Sequence, residues 1–469
     1  MRNLLNLNFI YLLLIAAEIV AIVFLCVWLP SFIPVTAAVF FLNWLFNLIA
    51  ATVAYCRGAS PEISCSVILM IIALPIAGAI VYLFSSMPKR GRGLLKIEGT
   101  TPTSGEESEI KALCGTGGIC YDRAVYLKDG EQYFSLLFKE IEGARESVYL
   151  EYFIVHRGKI FERLISALKA ATEGGAQIKF IIDGIGSAFK IGRRELKLLR
   201  SVGVSVKVFH RLKPLFYTSL NNRDHRKIAV IDGKVAFTGG FNIGDEYANI
   251  SSPFGYWKDT GVAIYGETAK VFEGMFLSVW NRGHKICIDN RGKERCIPYF
   301  DNPPSLSGVA ENIYMTAISS ATERIHIFTP YFCAGEKIND ALSLAAMRGV
   351  DVRIIIPHIP DKKYAFELSH SCAAKLIGSG IKFYEYTPGF MHAKSMVCDG
   401  KVYIGTYNFD FRSLRLNYEC GVIFDGDMCE QIERDFAESI SLSMPFIPQR
   451  AKPFRMVYRF FLKLFAPLF

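Results

Sequence analysis

The hydrophobic pattern divides the chain into two regimes. Residues 7–29, 33–55 and 63–84 are nearly unbroken apolar runs. Each is long enough to cross a bilayer, which takes roughly 20 apolar residues in a helix. They predict an N-terminal transmembrane helical anchor over residues 1–85. Pro75 interrupts the third run, so two spans plus a re-entrant segment stand beside three full spans. Glu18, near the middle of the first run, reads as a protonated or helix-paired carboxyl. The flank "PKRGRGLLK" follows, with Lys89, Arg90, Arg92 and Lys96. The positive-inside rule puts that flank, and what comes after it, on the cytoplasmic side.

After a linker over 86–128, short buried strands alternate with amphipathic helices. In residues 129–300 the order is helix "EQYFSLLFKEIEGA", strand "SVYLEYFIV", helix "IFERLISALKAATEGG", strand "AQIKFIIDGI", helix "GRRELKLLRSVG" and strand "VSVKVFH". Residues 301–448 repeat it with "ENIYMTAISSATE", "RIHIFTPYF", "KINDALSLAAMRG", "VDVRIIIP", "SHSCAAKLIGSG" and "IKFYEY". Self-similarity on this scale predicts an α/β fold of two duplicated domains. They would pack as a pseudo-dimer, with equivalent residues meeting near the pseudo-twofold axis.

Composition adds two points. The 469 residues are 51% hydrophobic with a mean hydropathy of +0.26, high for a soluble enzyme. The net charge of +9 favours an anionic partner: nucleic acid, phosphate ligand or acidic lipid. The 12 cysteines show no zinc-ligand spacing, and they read as reduced thiols, although Cys114/Cys120 and Cys287/Cys296 could each close a small loop.

Each series of elements runs into a similar segment, "HRKIAVIDGKVAF" or "HAKSMVCDGKVYI". Asp232-Gly233 and Asp399-Gly400 are hairpin signals, which gives both aspartates a mainly structural reading. On a strand, residues i and i+2 share a face, so His225 lies beside Lys227 and His392 beside Lys394. The return strands lead to "TGGFN", ending at Asn242, and "GTYN", ending at Asn408. Two His, two Lys and two Asn suit a phosphate diester. Lysines and amides hold the non-bridging oxygens, one imidazole attacks phosphorus, and the other protonates the leaving alkoxide. This chemistry requires no metal and no cofactor. One spacing differs: His225 to Asn242 is 17 positions and His392 to Asn408 is 16. Strand facing has period two, so the shorter return would turn Asn408 away unless a bulge or turn absorbs the difference.

In these paired H-x-K-x4-D motifs the chain resembles the phospholipase D superfamily. In "LEYFIV", "HRKIAVIDGKVAFTGGFNIGDEY", "YWKDTGVAI", "TPYF" and "NFDFRSLRLNYECGV" it resembles the bacterial cardiolipin synthases within it. The resemblance implies a catalytic set of His225, Lys227, Asp232, His392, Lys394 and Asp399. It implies that His225 is the nucleophile and His392 the general acid and then base, an order that the residues alone leave reversible. Asp259 and Glu419 match the positions that orient the histidines, and Asn242 and Asn408 those that support the phosphate. Glu151 and Glu246 are weaker supporting candidates. The implied reaction moves a phosphatidyl group from one phosphatidylglycerol to another through a phosphohistidine, releasing glycerol. A phospholipase D-type hydrolase, or a phosphatidyltransferase with another alcohol acceptor, is the alternative on the same site. The expected partners are phosphatidylglycerol, other anionic phospholipids and the bilayer, not nucleic acid. The expected location is the cell membrane, multi-pass, with the catalytic domains facing the cytoplasm. Residues 449–469, with Arg455, Arg459 and Lys463 among aromatic residues, read as a basic amphipathic tail on anionic lipid. The stretches "KIGRRELK" and "HRLKPLFYTSLNNR" are candidate headgroup contacts.

Overall fold

The structure, a computed structural model, describes residue 20 and residues 33–57, 61–73, 78–79, 95–98, 106–209, 222–281, 283–290, 292, 294–302, 308–448 and 453–465. The chain forms two compact units, and both repeats lie in the unit made of residues 91–209 and 223–459.

That unit is built on two sheets. The strands of the first repeat are β1 (Arg123–Leu127), β2 (Ser147–Tyr152), β3 (Gln177–Asp183), β4 (Ser205–Phe209), β5 (Lys227–Ile231), β6 (Val235–Gly239), β7 (Tyr256–Lys258) and β8 (Gly261–Tyr265). Those of the second are β9 (Arg295–Asp301), β10 (Arg324–Phe328), β11 (Asp351–Pro357), β12 (Lys382–Tyr386), β13 (Gly389–Met391), β14 (Ser395–Cys398), β15 (Lys401–Gly405) and β16 (Glu419–Phe424). The first sheet runs β1-β8-β6-β5-β2-β3-β4. The second runs β9-β16-β15-β14-β10-β11-β12, extended by Ile119–Cys120 at one edge and Ser443–Pro445 at the other. Strand for strand the two central orders are the same, so the duplicated α/β fold is present. In both, three parallel strands joined by helices are continued by an antiparallel hairpin.

Period-two facing sorts the side chains into separate cores. On β2, Val148, Leu150 and Tyr152 pack with Leu164 and Leu168 of the helix Lys159–Glu173. Tyr149 faces the other way, into a core shared by both sheets. There Ile228, Val230 and Val262 of the first repeat meet Val397, Ile404 and Val422 of the second. Each large apolar side chain buried in that shared core contributes roughly 1.5–3 kcal/mol, which fixes the two motifs relative to each other.

The sheets draw the domain boundaries differently from the sequence pattern. The presumed linker 86–128 supplies Ile119–Cys120 to the second sheet and β1 to the first. β9, expected at the end of the first domain, pairs with β16 of the second. An edge strand that adds to a sheet already formed carries little periodicity of its own.

The expected hairpins form, and they explain the unequal spacing. Asp232 and Gly233 have φ of 52° and 61°, and Asp399 and Gly400 have 44° and 90°. In the first hairpin Ile231 pairs with Val235 across a three-residue loop. In the second, Cys398 pairs with Lys401 across two. The missing residue is lost in the turn. Continuing each register by one sets Gly239 opposite Lys227 and Gly405 opposite Lys394. Asn242 and Asn408 each follow that glycine by three positions, so the expected flip does not occur.

Of the expected anchor, the run 7–29 lies outside the described residues except Val20. The second run is observed as the helix Ile33–Arg57, which exposes Phe41, Leu42, Trp44 and Ile49. Part of the third is observed as the helix Pro61–Ala73, and Pro75 lies outside the described residues. Among the described residues no helix is long and apolar enough to cross a membrane. The described cysteines are free thiols. Most of "HRLKPLFYTSLNNR" also lies outside the described residues.

Candidate active site

Two cross-repeat pairings bring the motifs together. β7 of the first repeat pairs in parallel with β13 of the second, Met391 opposite Lys258. On the other side Asp224 bridges Tyr418. The backbone bonds follow the same symmetry. His392 N–H donates to the Lys258 carbonyl at 2.7 Å, and His225 N–H to the Tyr418 carbonyl at 3.0 Å. Each acceptor immediately precedes an acidic residue, Asp259 or Glu419.

Those two acids take the histidines of the opposite repeats. His225 Nδ1 lies 2.8 and 3.0 Å from the carboxylate oxygens of Glu419. His392 Nδ1 lies 2.5 Å from Asp259 Oδ2. With Nδ1 bound to a carboxylate, Nε2 is the nitrogen left for chemistry. Each lysine Nζ donates to the carbonyl of its own histidine, Lys227 to His225 and Lys394 to His392, both at 2.5 Å. All four side chains are buried.

The carboxylates are themselves held, by different means. Glu419 accepts from Thr406 Oγ1 at 2.5 Å and from Asn417 Nδ2 at 3.1 Å. Asp259 accepts from its neighbour's amide, Thr260 N, at 2.9 Å and from Trp257 Nε1 at 3.3 Å. Trp257 and Asn417 each stand two residues before their acid. Where the second repeat has Thr406 the first has Gly240, and a Cβ there would lie 1.8 Å from Asp259 Oδ1. Asp259 occupies the space that a side chain would need.

Burial dominates the electrostatics of the site. Burial, then Lys227 and Lys394, hold His225 well below the usual imidazole range. Burial and then Lys394 bring His392 down to about 3, against the pull of Asp259. Burial chiefly lowers Lys227 to about 7 and Lys394 to about 8. Burial raises Glu419 to about 7. Burial would also raise Asp259, but His392 and Lys394 outweigh it and keep that carboxyl low. An anionic phosphate between the lysines would relieve the mutual repulsion of these groups.

The remaining expected residues separate. Asp232 accepts from the amides of Arg145, Glu146 and Ser147, and Asp399 from those of Thr322, Glu323 and Arg324. Grouped with the catalytic set by motif, both sit instead in hairpin turns at the far end of the strand, ~15 Å of extended chain from the lysines. There they fix the start of the neighbouring strand. Asn242 is also committed to the fold: Oδ1 accepts from Ile154 N at 2.9 Å and Nδ2 donates to Tyr247 Oη at 3.0 Å. Asn408 Nδ2 donates to Asp410 at 3.1 Å, and its buried Oδ1 has no hydrogen-bond partner among the described residues. Glu151 pairs with the fully buried Arg226 at 2.6 Å, and Glu246 lies near His156 and Lys190. Neither carboxylate reaches a motif histidine. The sequence reading passed over Thr406, Asn417, Trp257 and Gly240. Overlaying the two repeats on their acids would have singled them out.

Two His-Lys pairs on duplicated hairpins, each His braced by the acid of the other half, define a site of the phospholipase D class. A family profile described as cardiolipin synthase, PLD-like domain, matches residues 137–280 and 314–440. The chain belongs to that family. Its relatives include the cardiolipin synthase of Geobacillus sp. (strain WCH70), 36% identical over 335 residues, 68% of this chain and 66% of that one. Another is the cardiolipin synthase of Listeria monocytogenes serotype 4a (strain HCC23), 35% identical over 339 residues, 68% of this chain and 69% of that one. The crystal structure of phosphatidylserine synthase from Haemophilus influenzae Rd KW20 shares the fold, with a TM-score of 0.60 and 14% identity over 78% of this chain and 98% of that one.

Proposed function

We propose that this protein is a cardiolipin synthase, a phosphatidyltransferase that joins two phosphatidylglycerols and releases glycerol. The observation that carries the reading is the crossed bracing of His225 by Glu419 and of His392 by Asp259. It leaves two Nε2 atoms and two lysines for one phosphate.

His225 Nε2 attacks phosphorus of the donor lipid, forming the P–N bond. The P–O bond to the terminal glycerol breaks, and that oxygen takes a proton from His392. The hydroxyl of the second phosphatidylglycerol then gives its proton back to His392 and attacks phosphorus. The P–N bond breaks, cardiolipin leaves, and His225 is regenerated. Lys227 and Lys394 stabilise the charge that builds on the non-bridging oxygens. The order of the two roles follows the family resemblance: burial holds both imidazoles low, His392 at about 3, while Asp259 stays ionised to pair with the imidazolium as it forms and burial raises Glu419 to about 7.

The protein works at the cytoplasmic face of the cell membrane in this reading, with its N-terminal apolar segments as anchor. The exposed aromatic and aliphatic side chains of the helix Ile33–Arg57 support membrane association, and the basic flank after residue 85 supports the orientation. The test is a product assay in phosphatidylglycerol liposomes, resolved by mass spectrometry, with His225→Ala alongside. Cardiolipin and free glycerol, absent in the variant, are expected. Phosphatidic acid and glycerol without cardiolipin would make the protein a hydrolase instead.

A further inference from the structure

The two residues whose carbonyls accept from the histidine amides differ. Before Glu419 stands Tyr418, and before Asp259 stands Lys258. The Lys258 side chain crosses to the second repeat. Its Nζ lies 2.6 Å from Asp435 Oδ2, on the helix Asp427–Ser441, and donates to the Lys128 carbonyl at 2.8 Å. Tyr126 Oη, on β1, donates to the same carboxylate oxygen at 2.5 Å. Lys258 and Asp435 are both buried. None of these bonds goes to an imidazole, and the ion pair has no part in the chemistry described above.

Its place explains what it does. β7 and β13 form a two-stranded parallel sheet of three residue pairs. A ribbon that short is marginal by itself, yet β7 delivers both contacts to His392: the Lys258 carbonyl to its amide and the next residue, Asp259, to its Nδ1. Adjacent residues of a strand face opposite ways. Trp257 turns to Phe390, and Asn249 brackets its backbone at 2.7 and 3.1 Å, which ties β7 to the first repeat. Lys258 turns the other way, to Asp435 of the second. The residue after Asp435, Phe436, packs in one apolar cluster with Met391 and Ala393, the two neighbours of His392. One turn of one helix therefore sets His392 through Phe436 and the brace of His392 through Asp435.

We propose that Lys258 and Asp435 are positioning residues for His392, a buried ion pair that keeps Asp259 in register with the imidazole serving as general acid and base. The tie is one-sided. Tyr418 brings no charge to the matching place, and the carboxylate it precedes is held by Thr406 and Asn417. Loss of the pair should therefore impair proton transfer at His392 and spare attack by His225. The inference rests on the roles given to the two histidines under the cardiolipin synthase reading. Removing one partner would strand a buried charge, whereas neutralising both does not. The double variant Lys258→Met, Asp435→Asn is thus the one to test, and its amide keeps an acceptor for Tyr126 Oη.

The experiment compares two donors in a single turnover of the full-length protein in mixed micelles. Phosphatidylglycerol loses glycerol, whose oxygen needs the proton of His392. Phosphatidyl p-nitrophenol loses p-nitrophenolate, which departs as the anion and needs none. With either donor the bond from His225 Nε2 to phosphorus forms as the P–O bond breaks. The double variant should release glycerol about 10²-fold more slowly than wild type, the scale of general acid catalysis, and p-nitrophenolate within about threefold of it. Lys258→Arg, which keeps the charge, should recover part of the glycerol rate. If the two releases slow equally, or neither slows, the pair does not position His392. A phosphoryl label found by mass spectrometry on His392 of the wild type, in place of His225, would reverse the roles and overturn the inference with them. A wild-type protein that labels His225 but makes no cardiolipin would overturn the synthase reading alone, because the two release rates still decide the pair.

Discussion

Glu419, in the second repeat, accepts the Nδ1 hydrogen of His225, in the first, at 2.8 Å, and it is the only strand-borne acid on that imidazole among the described residues. Neither repeat can complete a site alone. Glu419→Gln keeps the volume but loses the charge and leaves the tautomer of His225 unfixed. Turnover should fall about 10²–10⁴-fold, by analogy with neutralising the acid of a triad. Circular dichroism should stay native. A fall of less than about tenfold would mean that Glu419 does not orient His225.

The two acids need different surroundings, and this yields a pair of opposed substitutions. Gly240→Thr imports the second repeat's residue into a place where the Cβ alone would meet Asp259 Oδ1 at 1.8 Å. It should push Asp259 off His392 and remove most activity. Thr406→Gly deletes one donor to Glu419, a hydrogen bond to a charged group that contributes ~1.5–3 kcal/mol, and the side-chain acceptor of Cys420 N–H at 3.0 Å, without crowding the carboxylate. Its effect on kcat should be the smaller of the two. The reverse ranking in a steady-state assay would contradict the crossed bracing.

Much of this was legible in the sequence because the duplicated elements are long and strongly periodic. The helix over 130–143, the strand over 177–183 and the hairpin at Asp232-Gly233 all stand where the pattern put them. The edge strand Ile119–Cys120 was not legible, since two residues have no period. Nor did the pattern show which acid braces which histidine. Asp259 follows His225 and Glu419 follows His392 in sequence, while the pairing runs the other way across the packed sheets. Asn242 misled for a related reason: its type suits a phosphate, but its amide is used on Ile154 and Tyr247.

The lysines set the pH response. Lys227 and Lys394 titrate in the free fold at about 7 and about 8, chiefly because they are buried. Activity requires them charged, so kcat/KM should fall as pH rises through about 7–8, far below the usual lysine range. Stability should move the other way. Between those values and 10.5 the unfolded chain binds more protons than the folded one, so stability rises with pH across that window. Lys394→Met should abolish turnover and flatten the thermal-melt slope there. An alkaline limb in kcat/KM near pH 10 would show that the lysines are not desolvated.

Asp232 and Asp399 should act on folding instead. Burial would raise each carboxyl, but the backbone amides they accept from outweigh it and hold both below the ordinary range. Their stabilisation is therefore present above the unfolded pKa and is lost as pH falls through the folded one. Asp232→Ala leaves several amides without their acceptor and should cost about 1–3 kcal/mol. The part that still folds should turn over within about twofold of wild type. A large loss of kcat in a variant with an unchanged melting temperature would return Asp232 to the chemistry.

The C-terminal helix Pro453–Phe465 makes the last test. Its arginines were expected on anionic lipid, but Arg455 and Arg459 both bind Glu367, Arg459 Nε at 3.0 Å. What the helix turns outward is apolar: Phe454 is 85% exposed, Met456 61% and Val457 55%. A surface of this kind enters a bilayer by burying area, at roughly 25 cal/mol per Å², not by charge. A benzophenone-bearing phenylalanine at position 454 of the full-length protein should therefore crosslink lipid in phosphatidylglycerol vesicles. It should do so equally at low and high salt, because the Debye length bears on charge contacts alone. Crosslinking that disappears with salt would return the arginines to the lipid surface and break the Glu367 pairing. Crosslinking to protein in place of lipid would make this face a contact between chains.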